Sequence, residues 1–179
     1  MEHSVSEPQF LDANCIVCKL KFFSLSIVAL YRSPSFHNLN NFYESLNDTL
    51  ASLSSSNNIV IIGDININIL PDSLNHDANE YLNLAASHGL LPTHLLQTRR
   101  NSCLDHVLAK TGLKTTTIVF HTAVTDHYPV LLNVKPNKMP RHLDSVRTTV
   151  DYPAVVAEIE NIDFSAVLNT TDANTATEI

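Results

Sequence analysis

The residues best suited to chemistry in this sequence are acids, an amide, histidines and a tyrosine, set in four short runs. Gly63-Asp64-Ile65-Asn66 follows four β-branched apolar residues, Ile59 to Ile62. Such a run predicts a strand buried on both faces. In extended backbone, positions two apart share a face. Asp64 and Asn66 are therefore expected to present a carboxylate and a carboxamide together at the strand's carboxyl end, where open α/β sheets place their chemistry. The plainer alternative is a strand running into an Asx-rich turn. The other runs are Tyr31 before Arg32-Ser33-Pro34, Asp105-His106 inside Leu104–Leu108, and Asp126-His127 after Thr125. Taken singly, each has an ordinary explanation: Tyr31 straddles core and water, Asp105 pairs with a surface base, and His127 is a satisfied imidazole. The case rests on the set: acids, an amide, a tyrosine and a histidine, all placed at strand ends of one α/β pattern.

The elements that must position them are legible in order. Residues 14–31 predict two strands with a tight connection near Lys21 to Ser24, the second strand being Leu25 to Tyr31. Leu39, Phe42, Tyr43, Leu46, Leu50 and Leu53 fall on one helical stripe that ends at Ser54–Asn58. Strand, helix and the Ile59 strand form a β-α-β unit, which predicts a parallel pair. A second helix is expected from His76 to His88, with Gly89 as its stop. Strands follow at Cys103–Ala109, Thr116–Phe120 and Val130–Val134. Residues 136–150 read as a linker, and Asp151 caps a short helix with Pro153 in its first turn.

Composition narrows the classes. The chain has 179 residues, 44% of them hydrophobic and 16% charged, which is globular. A net charge of −7 argues against a basic, duplex-gripping module but leaves room for a cation-dependent phosphodiesterase. Three cysteines do not make a disulfide scaffold. Cys15, Cys18, Cys103 and His106 could supply a zinc set, but residues three apart in a strand face opposite ways and buried free cysteines are common. Met1 to Pro8 is polar and acidic, unlike a signal peptide, and no apolar run is long enough to span a bilayer. An intracellular protein, nuclear or cytoplasmic, is expected.

Ile-Ile-Gly-Asp-Ile-Asn at 61–66, Leu-Asp-His-Val at 104–107 and Thr-Asp-His-Tyr-Pro-Val at 125–130 resemble the later motifs of the endonuclease/exonuclease/phosphatase family. Ala29–Ser35 resembles that family's tyrosine motif as it appears in endonucleases of non-LTR (LINE-type) retrotransposons. The resemblance covers roughly residues 14–135; residues 161–169 resemble, more loosely, the segment leading to a reverse transcriptase. It implies a four-layer α/β sandwich, two packed β-sheets flanked by helices, over residues 1–135, with linker and helical tail over 136–179. It implies Mg²⁺-dependent DNA nicking, Mn²⁺ being the alternative cation. Asp64 would orient or deprotonate the attacking water, Asn66 would hold it and a phosphate oxygen, and Tyr31 would contact the scissile phosphate. His127, fixed by Asp105, would stabilise developing charge, and Asp126 would belong to the metal environment.

The departures shape a second set of expectations. The family's upstream asparagine and metal-binding glutamate have no counterpart here; Glu2 and Glu7 stand in the wrong context. The resemblance thus implies a domain incomplete at its amino end, weakened cation binding and impaired catalysis. It also implies an uncovered sheet edge and exposed apolar surface. Smaller departures are Ile65, often phenylalanine in the family, and Ser33, often proline. The rival functions are a non-catalytic remnant that binds a partner through an open edge, and hydrolysis of a small phosphate ester.

Overall fold

The computed structural model describes residues 3–36, 38–136 and 151–161, in two compact units, Met1–Met139 and Pro140–Ile179. Among the described residues the first unit holds eight strands: β1 (His3–Ser6), β2 (Asn14–Leu20), β3 (Leu25–Tyr31), β4 (Asn58–Asp64), β5 (Leu91–Pro92), β6 (Asp105–Lys110), β7 (Lys114–Val119) and β8 (Val130–Lys135). Helix α1 (Asn40–Ser52) joins β3 to β4, and α2 (His76–Ser87) precedes β5.

Two sheets form. Six strands run in the order β1-β2-β3-β4-β6-β5, and β7 pairs with β8 in the second. β3 and β4 are parallel, as a strand-helix-strand crossover requires; every other pair is antiparallel. The stripe of α1 supplies Phe42, Leu46 and Leu50, all fully buried against Val28, Leu30, Ile59 and Ile61, with Tyr81 and Ala85 of α2 beside them. On the opposite face Leu25, Val60 and Val107 meet Val130, Leu132 and Val134 of β8. The alternation along β4 and β6 thus feeds both layers, helices on one side and the small sheet on the other. The packed-sheet α/β sandwich expected from the resemblance is present.

The outer face of the β7–β8 pair is bare among the described residues. Ile118 and Leu131, cross-strand partners, are 42% and 49% exposed. Val5 and Ile16 of β1 and β2 also stand exposed. Observed elements differ from the expected ones mainly at their ends. The polar amino-terminal segment, to which the sequence pattern assigns no element, contributes strand β1, and Leu91–Pro92 pairs briefly with β6. Both are edge strands, which carry weak local signals because water satisfies one side.

In the second unit, α3 (Tyr152–Glu160) is capped by Asp151, whose Oδ1 accepts the Ala154 N–H at 3.2 Å. The 137–150 part of the linker and the 162–169 part of the joining-segment resemblance lie outside the described residues. No described helix is long and apolar enough to cross a membrane.

Candidate active site

The site grows from one row across the large sheet. Tyr31 is the ladder partner of Asp64, and Asp64 is the partner of Asp105. Three neighbouring strands, spaced about 4.8 Å apart, therefore end in a tyrosine and two aspartates. All three lie on the face opposite the helices, since Leu30, Ile61 and His106 of the same strands belong to the helix side.

Gly63 makes this row possible. Its φ is +149°, and a Cβ there would stand 1.8 Å from the Leu30 carbonyl oxygen. Only glycine lets β3 and β4 close up one residue before Asp64. After Asp64 the strand stops. Asn66 adopts φ +55°, so the expected extended alternation from 64 to 66 does not hold. Proximity comes instead from an Asx turn, the plainer of the two alternatives: Asn66 N–H donates to Asp64 Oδ1 at 3.2 Å. Left-handed backbone suits asparagine among the non-glycine residues.

The turn is clasped by Arg32, which is 5% exposed. Its Nε donates to Ile65 O at 2.8 Å and its Nη2 to Asn66 O at 3.1 Å, while Nη1 reaches Phe36 O at 2.6 Å. In return Asn66 Nδ2 donates to Arg32 O at 2.7 Å. The amide nitrogen of Asn66 is therefore engaged by the fold, which leaves its Oδ1 as the group available to a ligand.

The loop before β8 brings in the histidine. His127 Nδ1 donates to Asp105 Oδ2 at 2.9 Å, both side chains about a quarter exposed. Ligand atoms of Asp64, Asp105 and His127 all lie within 4.8 Å of one another, the only such group of three or more His, Cys, Asp or Glu residues among those described. Burial and the neighbouring Asp105 carboxylate push Asp64 above the ordinary carboxylate range, while His127 and the Asn66 hydrogen bonds pull the other way. Two carboxylates that repel each other beside an imidazole form a donor set that fits a divalent cation.

Asp126 stands outside this group. Arg99 takes up its carboxylate, Nη2 and Nε both reaching Oδ2, at 2.6 and 2.8 Å, and holds Asp126 below the usual carboxylate range. Tyr31 closes the far end of the row, half exposed. Glu7 is exposed and belongs to no cluster.

The zinc set does not assemble. Cys15 and Cys103 are buried and burial pushes their thiols up, to about 11 and about 12; Cys18 is a half-buried free thiol. His106 is a core residue at 1% exposure. Its Nε2 lies 3.0 and 3.1 Å from the Ile67 and Cys103 carbonyl oxygens, so that nitrogen carries the proton and Nδ1 accepts from Tyr81 Oη at 3.3 Å. Burial lowers its pKa to about 4.

Several positioning groups have no signal in the sequence. Thr98 is fully buried, and its Oγ1 accepts from the N–H groups of Leu104 and Asp105 at 2.9 and 3.0 Å. Asn68 Oδ1 accepts from Cys103 N–H at 3.0 Å. Arg32 and Arg99 are also such groups. Their sequence context carries no period that would mark them; only the adjacency of Arg32 to Tyr31 was a hint.

No protein-family model matches the sequence, and no curated protein matches it. Solved structures do. The endonuclease domain of TRAS1, a telomere-specific non-LTR retrotransposon, superposes with a TM-score of 0.60 at 12% identity, over 76% of this chain and 69% of that one. A 3′-5′ exonuclease (NExo) from Neisseria meningitidis gives 0.55 at 15% identity, over 74% and 70%. A structure described as the 3′ phosphatase NExo from Neisseria bound to product DNA hairpin gives 0.55 at 14%, over 75% and 70%. At such identities the likeness is one of fold: the chain shares the α/β sandwich of these nuclease and phosphatase structures.

Proposed function

We propose that this chain hydrolyses phosphodiester bonds in DNA with the help of a divalent cation, Mg²⁺ or Mn²⁺, and does so weakly. One observation carries the reading: Asp64, Asp105 and His127 converge within 4.8 Å at the end of a row that Tyr31 extends. The nuclease and phosphatase neighbours, one of them holding DNA, support it through their fold.

Asp64 is placed as the base. Its raised pKa makes it a better proton acceptor than an ordinary surface carboxylate. The Asn66 N–H anchors one of its oxygens and so directs the other. Asp105 holds the His127 ring by Nδ1, which turns the Nε2 edge toward a phosphate oxygen, the orienting logic of other acid-imidazole pairs. The Tyr31 hydroxyl and Asn66 Oδ1 serve as further contacts to phosphate and water. Asp64 and Asp105 would hold the cation, which would neutralise phosphate charge and assist the leaving 3′ oxygen, with His127 beside it as the phosphate contact. Weakness follows from the donor set: among the described residues no glutamate joins it.

The test is nicking of supercoiled plasmid with Mg²⁺ or Mn²⁺, alongside Asp64→Ala and His127→Ala. The expected result is slow, chelator-sensitive nicking that falls about 100-fold or more in either variant. Nicking that is indifferent to Asp64, or none with either cation, overturns the reading. Cleavage of p-nitrophenyl phosphate in preference to plasmid would point to small esters.

A second reading, a non-catalytic binding protein, is favoured by the bare Ile118–Leu131 face. Solution sizing separates the two: self-association or a retained partner favours it, and a clean monomer counts against it.

A further inference from the structure

Three ties cross between the turn at 98–105 and the loop that carries His127. The Tyr128 N–H donates to Thr98 O at 2.6 Å, Arg99 pairs with Asp126, and His127 Nδ1 donates to Asp105. The backbone of Arg99 is itself fixed. Thr98 and Arg99 N–H both donate to Ser102 O, Ser102 N–H returns to Arg99 O, and Thr98 Oγ1 is spent on Leu104 and Asp105. Arg99 is thus a lever on a rigid turn, and its far end grips the residue beside the histidine. Both its Nε and Nη2 converge on a single oxygen, Oδ2, of Asp126.

We infer that Arg99 is a positioning residue for His127, and that Asp126 acts through this ion pair instead of as a cation ligand. The inference rests on the proposed hydrolytic reading for its activity arm but not for its structural arm. The geometry carries it: the carboxylate adjacent to His127 is absent from the Asp64–Asp105–His127 group and occupied by two guanidinium donors. Without the pair, the described hydrogen bonds from the 121–129 loop to the 98–105 turn are the Thr98–Tyr128 backbone bond and the His127–Asp105 bond itself. An exposed ion pair adds little to global stability, so removing it leaves the fold intact while loosening the ring. Small misplacements of a catalytic group cost rate steeply.

The experiment compares the full chain with Arg99→Met, Asp126→Asn, the double variant and Arg99→Lys. The first readout is the His127 imidazole ¹H–¹⁵N signal in metal-free protein. A protected Nδ1–H is expected in the parent and lost in both single variants. The second is Mn²⁺ affinity, expected to stay within about two-fold throughout. The third is plasmid nicking, with kcat reduced about ten-fold, KM within two-fold, and the double variant no worse than either single one, as coupled partners require. Arg99→Lys should restore part of kcat. A ten-fold loss of Mn²⁺ affinity in Asp126→Asn with none in Arg99→Met would show a cation ligand and overturn the inference. So would an unchanged His127 signal in Arg99→Met. If the parent does not nick DNA, the hydrolytic reading fails while the imidazole signal still decides the brace.

Discussion

Replacing Arg32 with Met tests whether the turn that carries Asn66 is held by charge-assisted hydrogen bonds. The aliphatic stem is kept, so packing changes little; what disappears is the set of donors to the carbonyls of Ile65, Phe36 and Asn66. The two short bonds, 2.8 Å to Ile65 and 2.6 Å to Phe36, set the magnitude. Hydrogen bonds from a charged donor contribute about 1.5–3 kcal/mol each, which gives a gross loss of about 3–6 kcal/mol. Burial opposes the guanidinium charge and lowers the Arg32 pKa, so removing it returns about 1–2 kcal/mol. The net expectation is a loss of about 2–4 kcal/mol. Urea unfolding followed by far-UV circular dichroism measures it. With a slope of about 2 kcal/mol/M, the midpoint should fall by about 1–2 M and the slope should stay unchanged. Arg32→Lys should recover only part, because an ammonium cannot span carbonyls on two segments as the planar fork does. A midpoint that moves by less than about 0.3 M would show that these carbonyls find other donors and that Arg32 does not hold the turn.

Two further outcomes follow from the titrating groups. His106 has its folded pKa lowered to about 4 from 6.5, so folding favours the neutral ring. Stability from this group is complete above pH 6.5 and falls as pH drops toward 4, by about 3 kcal/mol in all. The difference in unfolding free energy between parent and His106→Gln should shrink by that amount across the window; a constant difference refutes the buried neutral tautomer. Asp64 has the opposite sign. Its folded pKa is raised, so folding favours the neutral form relative to the unfolded chain, and that contribution is lost as pH climbs through the raised value. Asp64→Asn should therefore be more stable than the parent at pH 7 and equal to it at pH 3, while losing nicking. Lower stability of the variant at pH 7 would mean that the charged carboxylate is better satisfied than its surroundings imply.

The sandwich was legible because its signals are periodic. The stripe from Leu39 to Leu53 and the run Ile59–Ile62 state which faces are buried, and the structure buries them. Removal of apolar area from water is the largest driving force in folding, so a pattern written in apolar residues survives into three dimensions. The edges were less legible. β1 is exposed throughout, so no hydrophobic period marks it.

For the site, residue types and order were open to reading, but relations between segments were not. That Tyr31, Asp64 and Asp105 share one row depends on strand register, which couples residues 33 and 41 positions apart in sequence. Register is set by the packing of the whole sheet. Of the two readings of Asn66, extended backbone or an Asx turn, the structure takes the turn, at φ +55°, and a remote arginine clasps it. Asp126 and His127 are neighbours in sequence, yet one faces Arg99 and the other Asp105. By itself, the amino-acid order determined the elements, the buried faces and the list of chemically able side chains. Which of those side chains meet was decided only by the folded chain, since a hydrogen bond depends on ångström-scale placement that no local period encodes.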